Sequence, residues 1–133
     1  MRLATVVWVI NPDNKFLILQ RALDDYWCPS QWCLPGGRID KNESILEGAK
    51  RELLEETNIV ADKLVLVYRS PMKDLDVDVS YFLAKKFHFF ADSNVLISDE
   101  HISYVWVTIQ EIKFYDCVPE LKDITRRIVS EYI

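Results

Sequence analysis

The sequence predicts an α+β fold, a mixed β-sheet with helices packed on it. Three observations predict it. Apolar segments follow one another as strand, strand, helix, strands, helix, the order expected of a sheet covered by helices. Ser44 and Glu47 form a capping-box pattern just ahead of an apolar rhythm of helical period. Val77, Val79, Tyr81 and Leu83 alternate with Asp78, Ser80 and Phe82, as a strand with two unlike faces should. The 133 residues, 50% of them hydrophobic, fit one packed domain spanning 1–133, since domains run to roughly 100–200 residues.

The elements follow in order. Leu3–Ile10 is apolar and rich in β-branched residues; Asn11-Pro12-Asp13-Asn14 is a turn cluster; Phe16–Gln20 resumes the apolar run. Residues 3–20 therefore read as a β-hairpin. Residues 22–35 have no clear period and contain two prolines, which makes them loop. Ser44–Thr57 reads as a helix starting near Ile45, with Leu46, Ala49 and Leu53 on the face that packs against the sheet. Leu64–Arg69, Val77–Phe87 and Tyr104–Thr108 read as strands. Pro119–Tyr132 opens with proline and places Leu121, Ile124, Ile128 and Val129 at helical spacing.

Sixteen basic against 21 acidic residues give a net charge of −5, so no basic excess is present to hold a nucleic-acid backbone, and no nucleic-acid partner is expected. The longest apolar stretch, Ala4–Ile10, is far short of the roughly 20 residues that span a bilayer, and the N-terminus has no secretory pattern. Three cysteines, Cys28, Cys33 and Cys117, do not suggest a disulfide framework; reduced thiols in a cytoplasmic protein are the expectation.

The chemistry concentrates between Gly36 and Ile59. Gly36-Gly37 allows a tight bend or a close backbone approach. Glu52, Glu55 and Glu56 are related by i, i+3 and i+4 and cluster beside the buried face of the helix. Three carboxylates so close repel, and a hard divalent cation with oxygen ligands resolves the conflict. A solvated acidic helix face is the other reading of such a cluster.

The segment resembles the signature of the Nudix hydrolases. Gly37, Glu43, Arg51-Glu52-Leu53, Glu55-Glu56 and Ile59 keep every spacing of that motif over 23 positions, and Trp32-x-Leu34-Pro35 precedes it. Asn58 stands where the family has glycine; asparagine is the next best residue in the left-handed conformation at a helix C-terminus. The resemblance implies an α/β/α sandwich with a mixed sheet between helices, and Mg²⁺-dependent attack of water on a pyrophosphate linkage of a nucleotide. By resemblance, Glu52, Glu55 and Glu56 hold Mg²⁺ or Mn²⁺, and the Gly37 carbonyl adds a ligand. Glu43 and Gly36 are supports, and Arg51 orients the carboxylates with its donor fork. Glu100, in Ser98-Asp99-Glu100-His101, lies where many members carry a general base or an extra metal ligand; Asp99 and His101 are its rivals, and Glu55 and Glu56 are other candidate bases.

Substrate residues are expected around Arg21, which would reach a phosphate, and Tyr26-Trp27, which would stack on a base or pack at its rim. Phe87-His88-Phe89-Phe90 reads as a hairpin end or a dimer contact, and because family members are often dimers, a homodimer is the expected assembly. The compact chain resembles small nucleoside triphosphate pyrophosphohydrolases, which release the monophosphate and pyrophosphate. Nucleotide-sugar or ADP-ribose pyrophosphatase is the alternative, and a non-catalytic nucleotide-binding module is an alternative of another class. The acidic charge then has a place: residues 37–59 hold six carboxylates against four basic groups, where bound cations would invert the local field.

Overall fold

The structure is a computed structural model that describes residues 1–133. Its elements are β1 (Arg2–Val9), β2 (Phe16–Arg21), β3 (Trp32–Cys33), β4 (Gly36–Arg38), α1 (Ile45–Thr57), β5 (Ile59–Ala61), β6 (Val65–Met72), β7 (Val77–Ala84), β8 (Phe87–Phe89), β9 (His101–Val107) and α2 (Leu121–Ile128). A four-stranded sheet runs β4-β1-β7-β6, a three-stranded sheet runs β3-β2-β9, and β5 and β8 form a ribbon. β1 and β7 are parallel, from Arg2 opposite Val77 to Val9 opposite Ala84. All other pairs are antiparallel, so the expected mixed sheet is present.

The period of two in β1 and β2 builds two cores. Trp8, Phe16 and Ile18 pack with Val79, Tyr81, Leu83 and the α2 residues Leu121 and Ile124. Val7, Val9, Leu17 and Leu19 pack with Phe82, Ala84 and the α1 residues Ala49 and Leu53. The sheets thus lie between α1 and α2, as an α/β/α sandwich requires. Trp8 is fully buried, and its indole N–H donates to Thr125 Oγ1 of α2 at 3.0 Å, so its one polar group is satisfied.

Several elements differ from the sequence expectation. Residues 3–20 are not one hairpin. Asn11 Oδ1 accepts the backbone N–H groups of Asp13 and Lys15 and closes the turn, and Ile10 bridges Phe16. Beyond that bridge the strands part, because β4 and β7 occupy both edges of β1. The stretch 22–35 ends in β3 rather than loop, pairing Leu19 with Cys33; two residues are too few to show a period. The run from Val77 breaks after Ala84, and Phe87–Phe89 pairs instead with β5, which no pattern announced. β6 extends to Met72 through Pro71, tolerated because β6 is an edge strand. β9 begins at His101, three residues ahead of the expected Tyr104. α2 is shorter than 119–132: Glu120 has φ 73° and cannot belong to the helix, and the chain leaves Ile128 in a 3₁₀ turn, Val129–Glu131.

The helix α1 is capped as expected. Ser44 Oγ accepts the Glu47 N–H at 3.0 Å, and Glu47 Oε1 accepts the Ser44 N–H at 2.9 Å. Its packing face is rotated by one residue, however. Leu46 is 43% exposed, while Ile45, Ala49 and Leu53 meet the core. At this phase Glu56, three residues beyond Leu53, falls on the buried face rather than beside it. Asn58 closes the helix with φ 68°, its N–H donating to Leu54 O.

Candidate active site

The site forms where α1 crosses β4. Both glycines of β4 have negative φ, so they serve close approach and not a tight bend. A Cβ on Gly36 would lie 2.0 Å from the Thr5 carbonyl oxygen of β1. A Cβ on Gly37 would lie 2.6 Å from the Glu52 carboxylate. The missing side chains let two helix carboxylates rest on the strand: Glu52 over Gly37, and Glu56, whose Oε1 accepts the Gly36 N–H at 2.8 Å.

The three glutamates of the helix differ sharply in environment. Glu56 is 4% exposed. Burial pushes its carboxyl well above the usual range, and a hydrogen bond shared with Glu100 adds to this; the Gly36 N–H partly offsets both. Burial also raises Glu52, against the opposing pull of Arg51. The Glu55 side chain is 58% exposed and pairs with Arg51 Nη1 at 3.2 Å. The triplet therefore does not converge on one point: Glu52 and Glu56 face β4, and Glu55 faces outward.

Arg51 holds this arrangement together. Its Nε and Nη2 form a fork on Glu43 at 2.9 and 2.7 Å. Nη1 donates to Glu52 at 3.1 Å and to Glu55. Nη2 also donates to the Arg38 carbonyl at 3.0 Å, which ties the helix to β4. The Arg51 fork, helped by the Asp40 N–H, lowers the Glu43 carboxyl to about 2. Arg51 thus links Glu43 to Glu52 and Glu55 along one side of α1.

From the turn before β9 and from its first residue, Glu100 and His101 reach the same place. One ligand atom from each of Glu56, Glu100 and His101 lies within 4.8 Å of the other two. His101 is 8% exposed, burial lowers its pKa, and its Nε2 lies 3.7 Å from Cys33 Sγ. Burial raises that thiol to about 12, so it stays neutral. The cysteine–histidine contact joins residues 68 apart and has no local signal in the sequence. Asp99, the other rival, lines the same pocket.

Two cavities meet across β4. One, of about 560 Å³, is acidic and is walled by Glu52, Glu56, Asp99, Glu100, Asp24 and Asp25. The other, of about 360 Å³, is mostly apolar, walled by Ala4, Val6, Met72, Val77, Tyr81 and Trp27 among others. Gly36, Gly37, Arg38, Arg21 and Tyr26 border both. Glu55 borders neither.

Arg21 is not a free arm at this border. Its Nε donates to the Trp27 carbonyl at 2.9 Å, its Nη2 to Asp25 Oδ2 at 2.7 Å, and its guanidinium lies 4.9 Å from the Trp27 ring centroid. Asp25 Oδ1 in turn accepts the Trp27 N–H at 3.0 Å. Sequence reasoning did not single out Asp25, whose partners are its neighbours in the loop. Tyr26 is 92% exposed at the mouth of the cavities. Phe87 and Phe89 are not a free hairpin end: they pack against the α1 core and pair with β5, leaving Phe90 exposed.

The donor set fits a hard divalent cation. Burial first, and the neighbouring carboxylates after it, raise Glu52 and Glu56, a penalty that a bound cation would relieve. Carboxylate oxygens and one imidazole are ligands such ions accept.

Comparison with known proteins gives a consistent picture. The NUDIX domain model matches residues 1–128. The chain is 30% identical over 129 residues to the nucleoside triphosphatase NudI of Klebsiella pneumoniae strain 342, covering 87% of this chain and 89% of that one. It is 25% identical to the MutT protein of Methanosarcina mazei Go1, with a TM-score of 0.79 over 98% of this chain and 94% of that one. A C. elegans Ap4A hydrolase shares the fold at 23% identity, with a TM-score of 0.74 over 99% and 97% of the two chains.

Proposed function

Because the chain belongs to the NUDIX domain family and is a hydrolase of acid anhydrides, we propose that it cleaves nucleoside triphosphates to the monophosphate and pyrophosphate, with Mg²⁺ as its cation. One observation carries this reading: an apolar cleft of about 360 Å³ opens into the carboxylate-walled pocket across the side-chain-free edge of Gly36 and Gly37. A base and sugar fit the first, and a cation-bridged phosphate chain fits the second. The similarity to a protein named a nucleoside triphosphatase supports the same substrate class.

The roles divide as follows. Glu52, Glu56 and Glu100 would hold the cation, with the Gly37 carbonyl at the edge of the pocket, and Glu55, outside it, holds Arg51. When bound, the cation neutralises phosphate oxygens and stabilises the charge that develops as the anhydride breaks. Glu100 accepts a proton from the attacking water at a carboxylate oxygen. Water adds its oxygen to phosphorus and the bridging oxygen leaves with the pyrophosphate. Arg51 fixes Glu52 and Glu55 through its fork, and Glu43 fixes Arg51. Trp27 and Tyr26 flank the base.

The test is a panel of nucleoside triphosphates, nucleotide sugars and ADP-ribose, with products identified. Release of pyrophosphate and a monophosphate from a triphosphate is the expected result. Turnover confined to nucleotide sugars or ADP-ribose would move the substrate to that class. No turnover of any member with Mg²⁺ or Mn²⁺ would overturn the catalytic reading.

A further inference from the structure

His101 is the one imidazole of the pocket, and the proposed roles leave its chemistry unused. It opens β9 opposite Arg21, and the β2–β9 register shifts there, between Gln20 and Arg21. It is buried, and the two ring nitrogens have different surroundings. Nε2 contacts the neutral thiol of Cys33 at 3.7 Å. Nδ1 is enclosed and has no hydrogen-bond partner. Buried polar nitrogens are rarely left so, because the orphan forfeits its hydration without return. The same ring offers a nitrogen within 4.8 Å of carboxylate oxygens of Glu56 and Glu100. The cluster takes one nitrogen of this ring, and of the two Nδ1 is the one without a partner.

We propose that His101 is a nitrogen ligand of the pocket's divalent cation, through Nδ1, with Glu56 and Glu100 as its oxygen partners. The proposal rests on the metal-binding reading given above and extends it from an all-oxygen set to a mixed one. A ligating histidine is oriented by whatever its second nitrogen contacts, and here that contact is Cys33. The mixed set changes which ion the site favours. Mg²⁺ prefers oxygen and water, whereas imidazole adds affinity for Mn²⁺ and the later first-row ions. A nitrogen ligand therefore adds more to Mn²⁺ binding than to Mg²⁺ binding.

The decisive measurement is pulsed electron paramagnetic resonance on Mn²⁺ bound to the full chain. Echo modulation from a directly coordinated ¹⁴N is expected in the wild type and is lost in His101→Asn, which offers an oxygen near the Nδ1 position. The same substitution should weaken Mn²⁺ at least about tenfold by titration calorimetry, with a much smaller change for Mg²⁺. Mn²⁺ bound tightly by the wild type without ¹⁴N modulation would overturn the assignment while leaving the metal-binding reading intact. Absence of Mn²⁺ binding would overturn both. Because the wild-type spectrum decides the ligand by itself, a folding defect in the variant does not blunt the test.

Discussion

Asn58 holds Ala91 by both of its backbone groups: Oδ1 accepts the Ala91 N–H at 3.1 Å and Nδ2 donates to the Ala91 carbonyl. The same Nδ2 reaches the Asn94 carbonyl at 2.9 Å. A glycine at this position would cap the helix equally well and make none of these bonds. The residue that departs from the family motif thus fastens the segment after β8 to the end of α1.

Asn58→Gly should therefore destabilise the protein, although glycine is the better residue at φ 68°. Three side-chain hydrogen bonds outweigh the easier backbone, for a net loss of about 1–3 kcal/mol. Urea unfolding checks this, and a variant as stable as the wild type would remove the clasp from the account.

Glu56→Gln should move stability and activity in opposite directions. The raised folded pKa means that, without a cation, burial penalises ionised Glu56. Relative to low pH, metal-free wild type loses stability as pH rises from the ordinary glutamate value through the raised one. The amide removes that penalty and keeps an oxygen for the Gly36 N–H, so the variant should melt higher in chelator at pH 8. Its turnover should fall by about 10² or more. Thermal melts with and without chelator, beside steady-state rates, check both halves.

The Glu43–Arg51 pair has the reverse sign. The folded pKa of about 2 lies below the ordinary value, so its contribution is present above the unfolded pKa and fades as pH falls from about 4.5 to about 2. Glu43→Gln should lower the melting temperature at pH 6, and the difference from the wild type should close by pH 2. An unchanged difference across that range would place the effect elsewhere than in this carboxyl.

Arg21→Ala and Asp25→Ala should act alike, since both release Trp27 from the same clamp. Each should raise KM several-fold with a smaller effect on kcat, as expected when a binding wall loosens. If Arg21→Ala alone is damaging and kcat carries the loss, Arg21 touches the phosphates directly.

Legibility in the sequence followed locality. Both ends of α1 were readable because Ser44, Glu47 and Asn58 signal within a few residues of their partners. The carboxylate motif was readable because its spacing is helical. The phase of the helix was not: Leu46 and Ile45 are equally apolar, and only the sheet beneath decides which turns inward. β3, β5 and β8 are two or three residues long and leave no period. The meeting of Cys33 with His101, and of Asn58 with Ala91, depends on elements that come together only in the folded chain.

The parallel register of β1 with β7 also orders events during synthesis. Val9 pairs with Ala84, so β1 waits for some 75 further residues before its central ladder can close. At about 5–20 residues per second this delay lasts several seconds. α1, with both caps encoded locally, is complete well before then, and its apolar face waits for Phe82 and Ala84. The carboxylate-bearing helix is thus able to form before the strand that completes its floor has been made.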